Sequence, residues 1–306
     1  MRVDRKAMTG MPNTILTFVG ARPSSALGLT VEVTAKGTGI IVLAGPSSCG
    51  KGAIAEALSA ALRVPEENHI SMGDSLRAVI ARANTDPAFR EGMGERYGIH
   101  SDRSVFNGEL TESSIVRKAL HYGEELETRF GEQPSQVDWL EYCVTSGLLV
   151  PDAWSEAILE GTIGEKAAGA TSGIILLDGY PRTEVAARHV LALSERLDIP
   201  LIKVIHLSVS KREMHRRALG RKRQDDTPEM LERRYQFYVD HVQPAVELLK
   251  YELGSQYVAL IDAHQPAYNE NAELDLPASV RNVAKQVLMS LGVSRHILDH
   301  LEVWGR

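Results

Sequence analysis

The glycine loop, residues 45–51 (GPSSCGK), limits the possible folds of this 306-residue chain more than any other stretch. It follows the apolar run 40–44, typical of a buried parallel strand, and precedes Ile54, Leu58 and Leu62, which recur at helical spacing. Glycines let a backbone turn its N–H groups inward, the following helix adds the positive end of its dipole, and lysine adds an ammonium. A strand, a glycine-rich loop and a helix in this order predict a loop that binds polyphosphate.

Four further strand candidates alternate with helical patterns downstream of this loop. They lie at residues 69–71, 174–177, 201–207 and 257–261. Strands that alternate with helices predict a parallel sheet covered on both faces, with ligands bound beyond the carboxyl ends of the strands. Between Ile80 and Gly147 the sequence is polar and helix-rich, which predicts an inserted helical subdomain.

The composition narrows the function classes. Hydrophobic residues make up 43% of the chain and charged residues 24%, as in soluble globular proteins. A formal charge of −6 argues against a sequence-independent nucleic-acid binder, and no apolar stretch is long enough to cross a bilayer. Cys49 and Cys143 are too few for a disulfide framework. The N-terminus resembles a targeting peptide only weakly, so we expect a cytoplasmic protein without nucleic-acid or membrane partners.

Five motifs, in the same order, resemble those of the adenylate kinases and related nucleoside-monophosphate kinases. The loop has that family's Gly-Lys-Gly variant, and residues 68–77 (NHISMGDSLR) are similar to HISTGDLLR. Residues 147–152 (GLLVPD) resemble GELVPD, 177–183 (LDGYPRT) resemble DGFPRT, and the arginines of 217–234 resemble the lid and the helix after it. The resemblance implies an α/β P-loop kinase fold with a five-stranded parallel sheet flanked by helices, a helical acceptor-binding insert and a short lid.

This resemblance also divides the chain into parts. Residues 1–38 are expected to be an N-terminal extension, with a strand or hairpin indicated by the β-rich LTVEV at 29–33. Residues 39–79 would form the first part of the core, 80–146 an enlarged acceptor insert, and 147–306 the second part of the core. The lid would lie at about 217–226 and contains no Cys or His set with zinc-ligand spacing.

The activity that the resemblance implies is transfer of the γ-phosphate of ATP, with Mg²⁺, to a nucleoside monophosphate. Because phosphoryl transfer depends mainly on positioning and on cationic compensation of charge, arginines are expected to converge on the phosphates. The implied catalytic residues are Lys51, Arg182, Arg217, Arg223 and Arg234. The implied ATP-binding residues are Gly45, Ser47, Ser48, Cys49, Gly50, Lys51, Gly52, Ala53, Arg217, Arg221 and Gln265. The backbone at 263–266 would pack on the ATP base.

A second set of residues is implied on the acceptor side. These are Ser71, Met72, Arg77, Val150, Gly179, Arg182 and Ala186. Arg77 and Arg182 would hold the phosphate of the acceptor. Asp74 and Asp178 would organise the metal through water, since Mg²⁺ retains several of its waters.

Three departures from the family pattern qualify this assignment. Ala53 replaces a threonine, and a methyl group cannot coordinate Mg²⁺ or donate to phosphate, although Ser47, Ser48 or a water could substitute. Met72 and Ala186 replace the polar residues that help to recognise the AMP base, so adenine specificity is not implied. The insert is far longer than in the family. It could be an ordinary helical insertion with its own small core or an enlarged pocket for a bulkier acceptor.

The sequence leaves two alternatives to a nucleoside-monophosphate kinase. The acceptor could be a different small molecule or a protein hydroxyl, in which case Asp178 could act as a base. The chain could also be a nucleotide-sensing protein with little turnover, which Ala53 favours and the many arginines oppose. A monomer or a small homo-oligomer is expected in each case.

Overall fold

The computed structural model describes residues 22–23, 29–30, 37–107, 113–167, 173–221 and 227–299. Its strands are β1 (Arg22–Pro23), β2 (Leu29–Thr30), β3 (Gly39–Ala44), β4 (His69–Ser71), β5 (Ile174–Asp178), β6 (Leu201–Ser208), β7 (Val258–Asp262), β8 (Ala267–Tyr268) and β9 (Leu274–Asp275). Its helices are α1 (Lys51–Leu62), α2 (Met72–Thr85), α3 (Pro87–Tyr97), α4 (Ser113–His121), α5 (Gly123–Phe130), α6 (Gln136–Thr145), α7 (Asp152–Ala167), α8 (Glu184–Leu197), α9 (Lys211–Arg221), α10 (Pro228–Phe237), α11 (Gln243–Leu253), α12 (Leu276–Ser290) and α13 (Arg295–Asp299). None of these helices is both long and apolar enough to cross a membrane.

A five-stranded parallel sheet in the order β4-β5-β3-β6-β7 forms the centre of the fold. All six residues of β3 are buried, as expected for the middle strand of a sheet that is covered on both faces. The five strands coincide with the five strand candidates of the sequence, and helices flank the sheet. The predicted fold class is therefore confirmed, and the layout is consistent with that of a P-loop kinase.

Helix α1 begins directly at the end of the glycine loop. Gly50 precedes it in the left-handed conformation (φ 96°), which glycine adopts without a steric penalty. Ile54, Leu58 and Leu62 lie on one buried face, as their spacing predicts, and they join a core that α12 and α13 complete. This packing fixes the first turn of α1 against the sheet.

The chain forms two compact units. The first contains the parallel sheet and the helices α1, α8, α9 and α11–α13, and the second comprises residues 71–169 with 223–230. Of the N-terminal extension, the structure describes only short pieces, in which β1 and β2 pair in antiparallel fashion.

The second unit has an apolar core of its own. Trp139 is buried and stacks on Tyr142 at 5.7 Å between ring centroids, and the buried Phe89 receives the guanidinium of Arg82 over its ring at 4.2 Å. Burial and a hydrogen bond to Glu125 raise the pKa of Tyr142 to about 12, so this phenol stays neutral. Aromatic side chains of this unit therefore serve its internal packing.

Candidate functional site

The glycine loop is shaped by backbone conformations that few side chains allow. Gly45 has φ 151°, and a Cβ at this position would lie 2.6 Å from the carbonyl oxygen of Leu207. Ser48 has a positive φ of 60°, which is uncommon for a residue other than glycine. The loop can therefore take this path only with glycine at position 45, directly after β3 and beside the carbonyl of Leu207 on β6.

Lys51 folds back over the loop. Its ammonium donates to the carbonyl oxygens of Gly45 at 3.0 Å and Pro46 at 2.8 Å. A lysine ammonium has three donors, so two of them are held by neutral acceptors that leave its charge in place. The predicted phosphate-binding cation is thus fixed within the loop that contains it.

Arg217 joins three elements around this loop. Its Nη1 donates to the carbonyl oxygen of Cys49 at 3.1 Å, its Nη2 donates to that of Ala263 at 2.9 Å, and its Nε donates to Glu213 at 2.7 Å. The side chain is 27% exposed. The structure therefore brings two of the predicted catalytic cations, Lys51 and Arg217, to the same loop.

Glu213 is a buried carboxylate on α9, one turn before Arg217. Arg216 donates to both of its oxygens at 2.7 Å, and Nδ1 of His264 lies 3.2 Å from Oε1. The pKa of Glu213 is lowered to about 2, chiefly by the hydrogen bonds from Arg216 and then by those from Arg217, against the opposing effect of burial. Glu213 thereby holds Arg217, which contacts the glycine loop, beside the more exposed Arg216.

The half-buried His206 and the buried Tyr238 form a pair beside the strand that leads into the loop. His206 is on β6 beside Ala44, and its Nε2 lies 2.7 Å from the hydroxyl of Tyr238. Burial lowers the pKa of His206 and raises that of Tyr238, so both are neutral. Tyr238 begins a π-helical segment, Tyr238–Val242, between α10 and α11, and such segments are frequent at functional sites. The predicted catalytic residue Arg234 lies one turn earlier, on α10.

The end of β5 carries another group of predicted residues. Asp178, which is paired in register with Leu43, is buried, and the N–H of Gly179 donates to the carbonyl of Leu43 at 3.3 Å. Arg182 donates from Nε to the carbonyl of Gly179 at 2.9 Å. Ala186 is buried in the first turn of α8.

The remaining acceptor residues lie in the second unit. Ser71 caps α2 by accepting the N–H of Asp74 at 3.3 Å, and Met72 is buried in the first turn of that helix. Arg77 and Asp74 form an ion pair at 2.5 Å, and both side chains are more than half exposed. Val150 is buried. The convergence of Arg77 with Arg182 on one acceptor phosphate stays a prediction.

Residues available to Mg²⁺ are few within the described part of the chain. No group of three His, Cys, Asp or Glu side chains there could hold a metal ion. Gly52 and Ala53, at the start of α1, are exposed, and the buried hydroxyl of Ser48 has no hydrogen-bond partner among the described residues. This arrangement fits an ion that arrives with a phosphate ligand and keeps most of its waters, with Asp178 and Ser48 as outer contacts.

Two predicted lid residues cannot be placed. The side chain of Arg221 and the whole of Arg223 lie outside the described residues. Gln265, predicted to bind ATP, donates to the carbonyl of Asp262 at 2.9 Å and lines a shallow cavity of about 270 Å³ with residues of α12 and α13.

Sequence reasoning missed Glu213, His264 and His206. Glu213 carries the clearest signal, because a glutamate four residues before an arginine on a helix predicts an i,i+4 pair. His264 and His206 reach their partners only through the order of the strands, which no local pattern specifies.

Comparison with characterised proteins gives a consistent but distant relationship. No family model matches the chain. The adenylate kinase of Xanthomonas oryzae pv. oryzae is 27% identical over 210 residues, which cover 67% of this chain and 82% of that protein. The adenylate kinase of a Cyanothece species is 25% identical over 251 residues, 81% of this chain and 95% of its own. That of Oenococcus oeni is 34% identical over 119 residues, 39% of this chain and 61% of its own. These similarities support a relationship of the chain to the adenylate kinase family.

Proposed function

We propose that this chain is an ATP-dependent phosphotransferase that moves the γ-phosphate of ATP, as its Mg²⁺ complex, to a nucleoside monophosphate. The observation that carries the proposal is that Arg217 donates to the carbonyl of Cys49 and Lys51 to that of Pro46, so that two cations contact one glycine loop. The similarity to proteins named adenylate kinase supports a nucleotide-kinase-like function.

On the donor side, the loop and its cations bind the phosphates. Lys51 exchanges the carbonyls of Gly45 and Pro46 for the β- and γ-phosphates, while the loop N–H groups and the start of α1 add further donors. Arg217 offers its remaining N–H group to the transferring phosphate, and Arg221, Arg223 and Arg234 complete the cationic set. In this proposal the base lies against Gln265.

On the acceptor side, Arg77 and Arg182 align the monophosphate for in-line attack. Transfer forms a bond from an acceptor phosphate oxygen to the γ-phosphorus and breaks the bond to the β–γ bridging oxygen, which leaves with ADP. Asp178 and Asp74 would hold the water shell of Mg²⁺, which would come with ATP and offset the negative charge of the phosphates. Ser71, Val150 and Gly179 line the acceptor.

The setting of the enzyme is also a proposal. We place it in the cytoplasm as a monomer or small homo-oligomer, with ATP and its acceptor as partners and with no nucleic-acid or membrane partner. The net charge of −6 supports the absence of nucleic acid, because the positive charge around the glycine loop is local.

A second candidate keeps the donor site and changes the acceptor. Met72 and Ala186 are both apolar and buried, so neither offers a hydrogen bond to an adenine. This observation opposes AMP as the acceptor and favours a different small molecule or a protein hydroxyl.

ADP formation by the purified full chain tests both candidates. The assay contains ATP and Mg²⁺ with AMP, CMP, UMP, GMP or dTMP, and a blank without acceptor. Lys51→Ala removes the loop ammonium, and Lys211→Ala is its matched control, since Lys211 pairs with Glu232 at the surface. We expect one monophosphate to raise the rate of ADP formation well above the blank in the wild type and in Lys211→Ala. In Lys51→Ala, we expect no monophosphate to raise this rate.

If no monophosphate raises the rate while ATP still binds, the monophosphate-kinase proposal is wrong and the second candidate gains support. Retained activity in Lys51→Ala would instead contradict the assignment of the donor site.

A further inference from the structure

We infer that Glu213 is a positioning residue of the donor site, which holds the guanidinium of Arg217 across the glycine loop so that it meets the donor phosphates already oriented. This inference rests on the proposed function and adds to it a residue that no motif identified. Glu213 does not touch the phosphates in this account. It acts through Arg217.

The geometry supports a fixed arginine. Glu213 accepts a hydrogen bond from Nε–H of Arg217, while the two Nη atoms donate to the carbonyls of Cys49 and Ala263. These contacts come from α9, the glycine loop and the segment after β7, so the guanidinium plane is fixed by three separate elements. Nη2 also lies 3.5 Å from Nδ1 of His264, so of the five N–H donors one, on Nη1, is left for a ligand.

The carboxylate itself is well placed for this task. Glu213 is 8% exposed, and its backbone N–H is held by the hydroxyl of Ser210 at 3.2 Å at the start of α9. Hydrogen bonds between charged partners are shorter and stronger than neutral ones. Because Glu213 is buried, water competes little with the arginines for its oxygens. A long flexible arginine that is not held in advance loses rotamer entropy when it is ordered at the moment of binding.

Arg216 provides an internal control for a merely structural role. It binds the same carboxylate as Arg217, but its side chain is 60% exposed, and its hydrogen bonds within the described part of the chain are to Glu213. If Glu213 only stabilised α9, removal of Arg216 and replacement of Glu213 would have similar effects on activity. If Glu213 positions Arg217, only the change at Glu213 should affect the donor.

The test compares kcat and KM for ATP in Glu213→Gln, Arg216→Ala, Arg217→Lys and the double variant Glu213→Gln/Arg217→Lys. Glutamine keeps the shape but is neutral, so the charge-assisted hydrogen bond that holds Arg217 becomes weaker. We expect Glu213→Gln to lower kcat/KM for ATP by about 10- to 100-fold, a loss typical of a misplaced catalytic group. KM for the acceptor should not change, and Arg216→Ala should match the wild type. The double variant should be no worse than Arg217→Lys, because the two changes remove one interaction.

A second measurement is independent of turnover. The side-chain Nε–H resonance of Arg217, identified by its loss in Arg217→Lys, should be protected from solvent exchange in the wild type and in Arg216→Ala. It should exchange rapidly in Glu213→Gln. If Glu213→Gln does not fold, Glu213→Asp takes its place, because it keeps the charge but shortens the side chain. We expect its loss of kcat/KM for ATP to be smaller than that given for Glu213→Gln.

Unchanged kcat/KM in Glu213→Gln, or equal losses in Glu213→Gln and Arg216→Ala, would overturn the inference. Failure of the proposed function has a different result, namely no transfer by the wild type to any acceptor. In that case the solvent exchange of the Arg217 Nε–H resonance still decides whether Glu213 positions Arg217.

Discussion

Cations around the glycine loop and cations of the second unit are held in different ways. Lys51 and Arg217 donate largely to neutral backbone carbonyls, those of Gly45, Pro46, Cys49 and Ala263. In the second unit, two arginines each face one carboxylate: Arg90 lies 2.6 Å from Asp138, and Arg129 lies 2.9 Å from Glu141.

This difference distinguishes cations whose charge is available to an anionic ligand from cations whose charge is offset by a carboxylate of the protein. A carbonyl holds a cation in place without cancelling its charge. A paired carboxylate offsets that charge, so a ligand farther away experiences little net field from the pair. The glycine loop therefore presents positive charge on a chain with a net charge of −6. The pairs formed by Arg90 and Arg129 instead contribute to the folding of the second unit.

The largest expected effect compares one arginine from each region. Arg217→Lys removes the planar fork and with it the simultaneous contacts to Cys49, Ala263 and Glu213. We expect kcat/KM for ATP to fall by about 10³-fold, as for arginines that stabilise transferring phosphate. Arg129→Lys retains a charge beside Glu141 and should stay within about twofold of the wild type. Steady-state kinetics of both variants provide the measurement, and equal losses would remove the distinction between the regions.

A smaller effect is expected when a pair of the second unit is broken. Arg90 and Asp138 are 28% and 17% exposed, and Asp138 also completes the capping box of α6 with Ser135. Arg90→Ala should lower the free energy of unfolding by about 1–3 kcal/mol, between the values for exposed and buried pairs. Urea unfolding followed by circular dichroism measures this change. A large fall in kcat with unchanged stability would instead place Arg90 in the acceptor site.

The smallest effect concerns the pH dependence of stability. The folded-state pKa of Glu213 is about 2, below its ordinary value near 4.5, so its ionised form stabilises the fold. That contribution is fully present above pH 4.5 and is lost as the pH falls towards 2. The melting temperature of the wild type should therefore fall more steeply across this range than that of Glu213→Gln. Parallel curves for the two proteins would show that the carboxylate is not held by its arginines.

Local patterns were sufficient to predict the sheet and the glycine loop. Buried apolar runs specify strands such as β3 and β5, and the strained backbone at Gly45 requires the residue that the motif contains. The contacts of Arg217 could not be predicted in the same way. Its partners Cys49 and Ala263 lie 168 and 46 positions away in sequence, and only the strand order brings them to α9.

The acceptor side shows the limit of motif matching. The segment 68–77 predicted a role for Arg77 and Asp74 in binding, yet their side chains form an i,i+3 pair on α2 that the spacing alone allows. A motif specifies which residue types stand at which positions. It does not specify which side chains or ligand atoms these residues contact in the folded protein. The roles of Arg77, Asp74 and Arg182 therefore stay predictions that the assays above address.

The most direct test of the account is ³¹P NMR of the full chain incubated with ATP, Mg²⁺ and the five monophosphates, in parallel with Lys51→Ala. The account predicts loss of the γ-phosphate signal of ATP together with new diphosphate signals from ADP and from one acceptor, and no change in the Lys51→Ala sample. Release of inorganic phosphate without a new diphosphate, or a spectrum of unchanged ATP with the wild type, would contradict it.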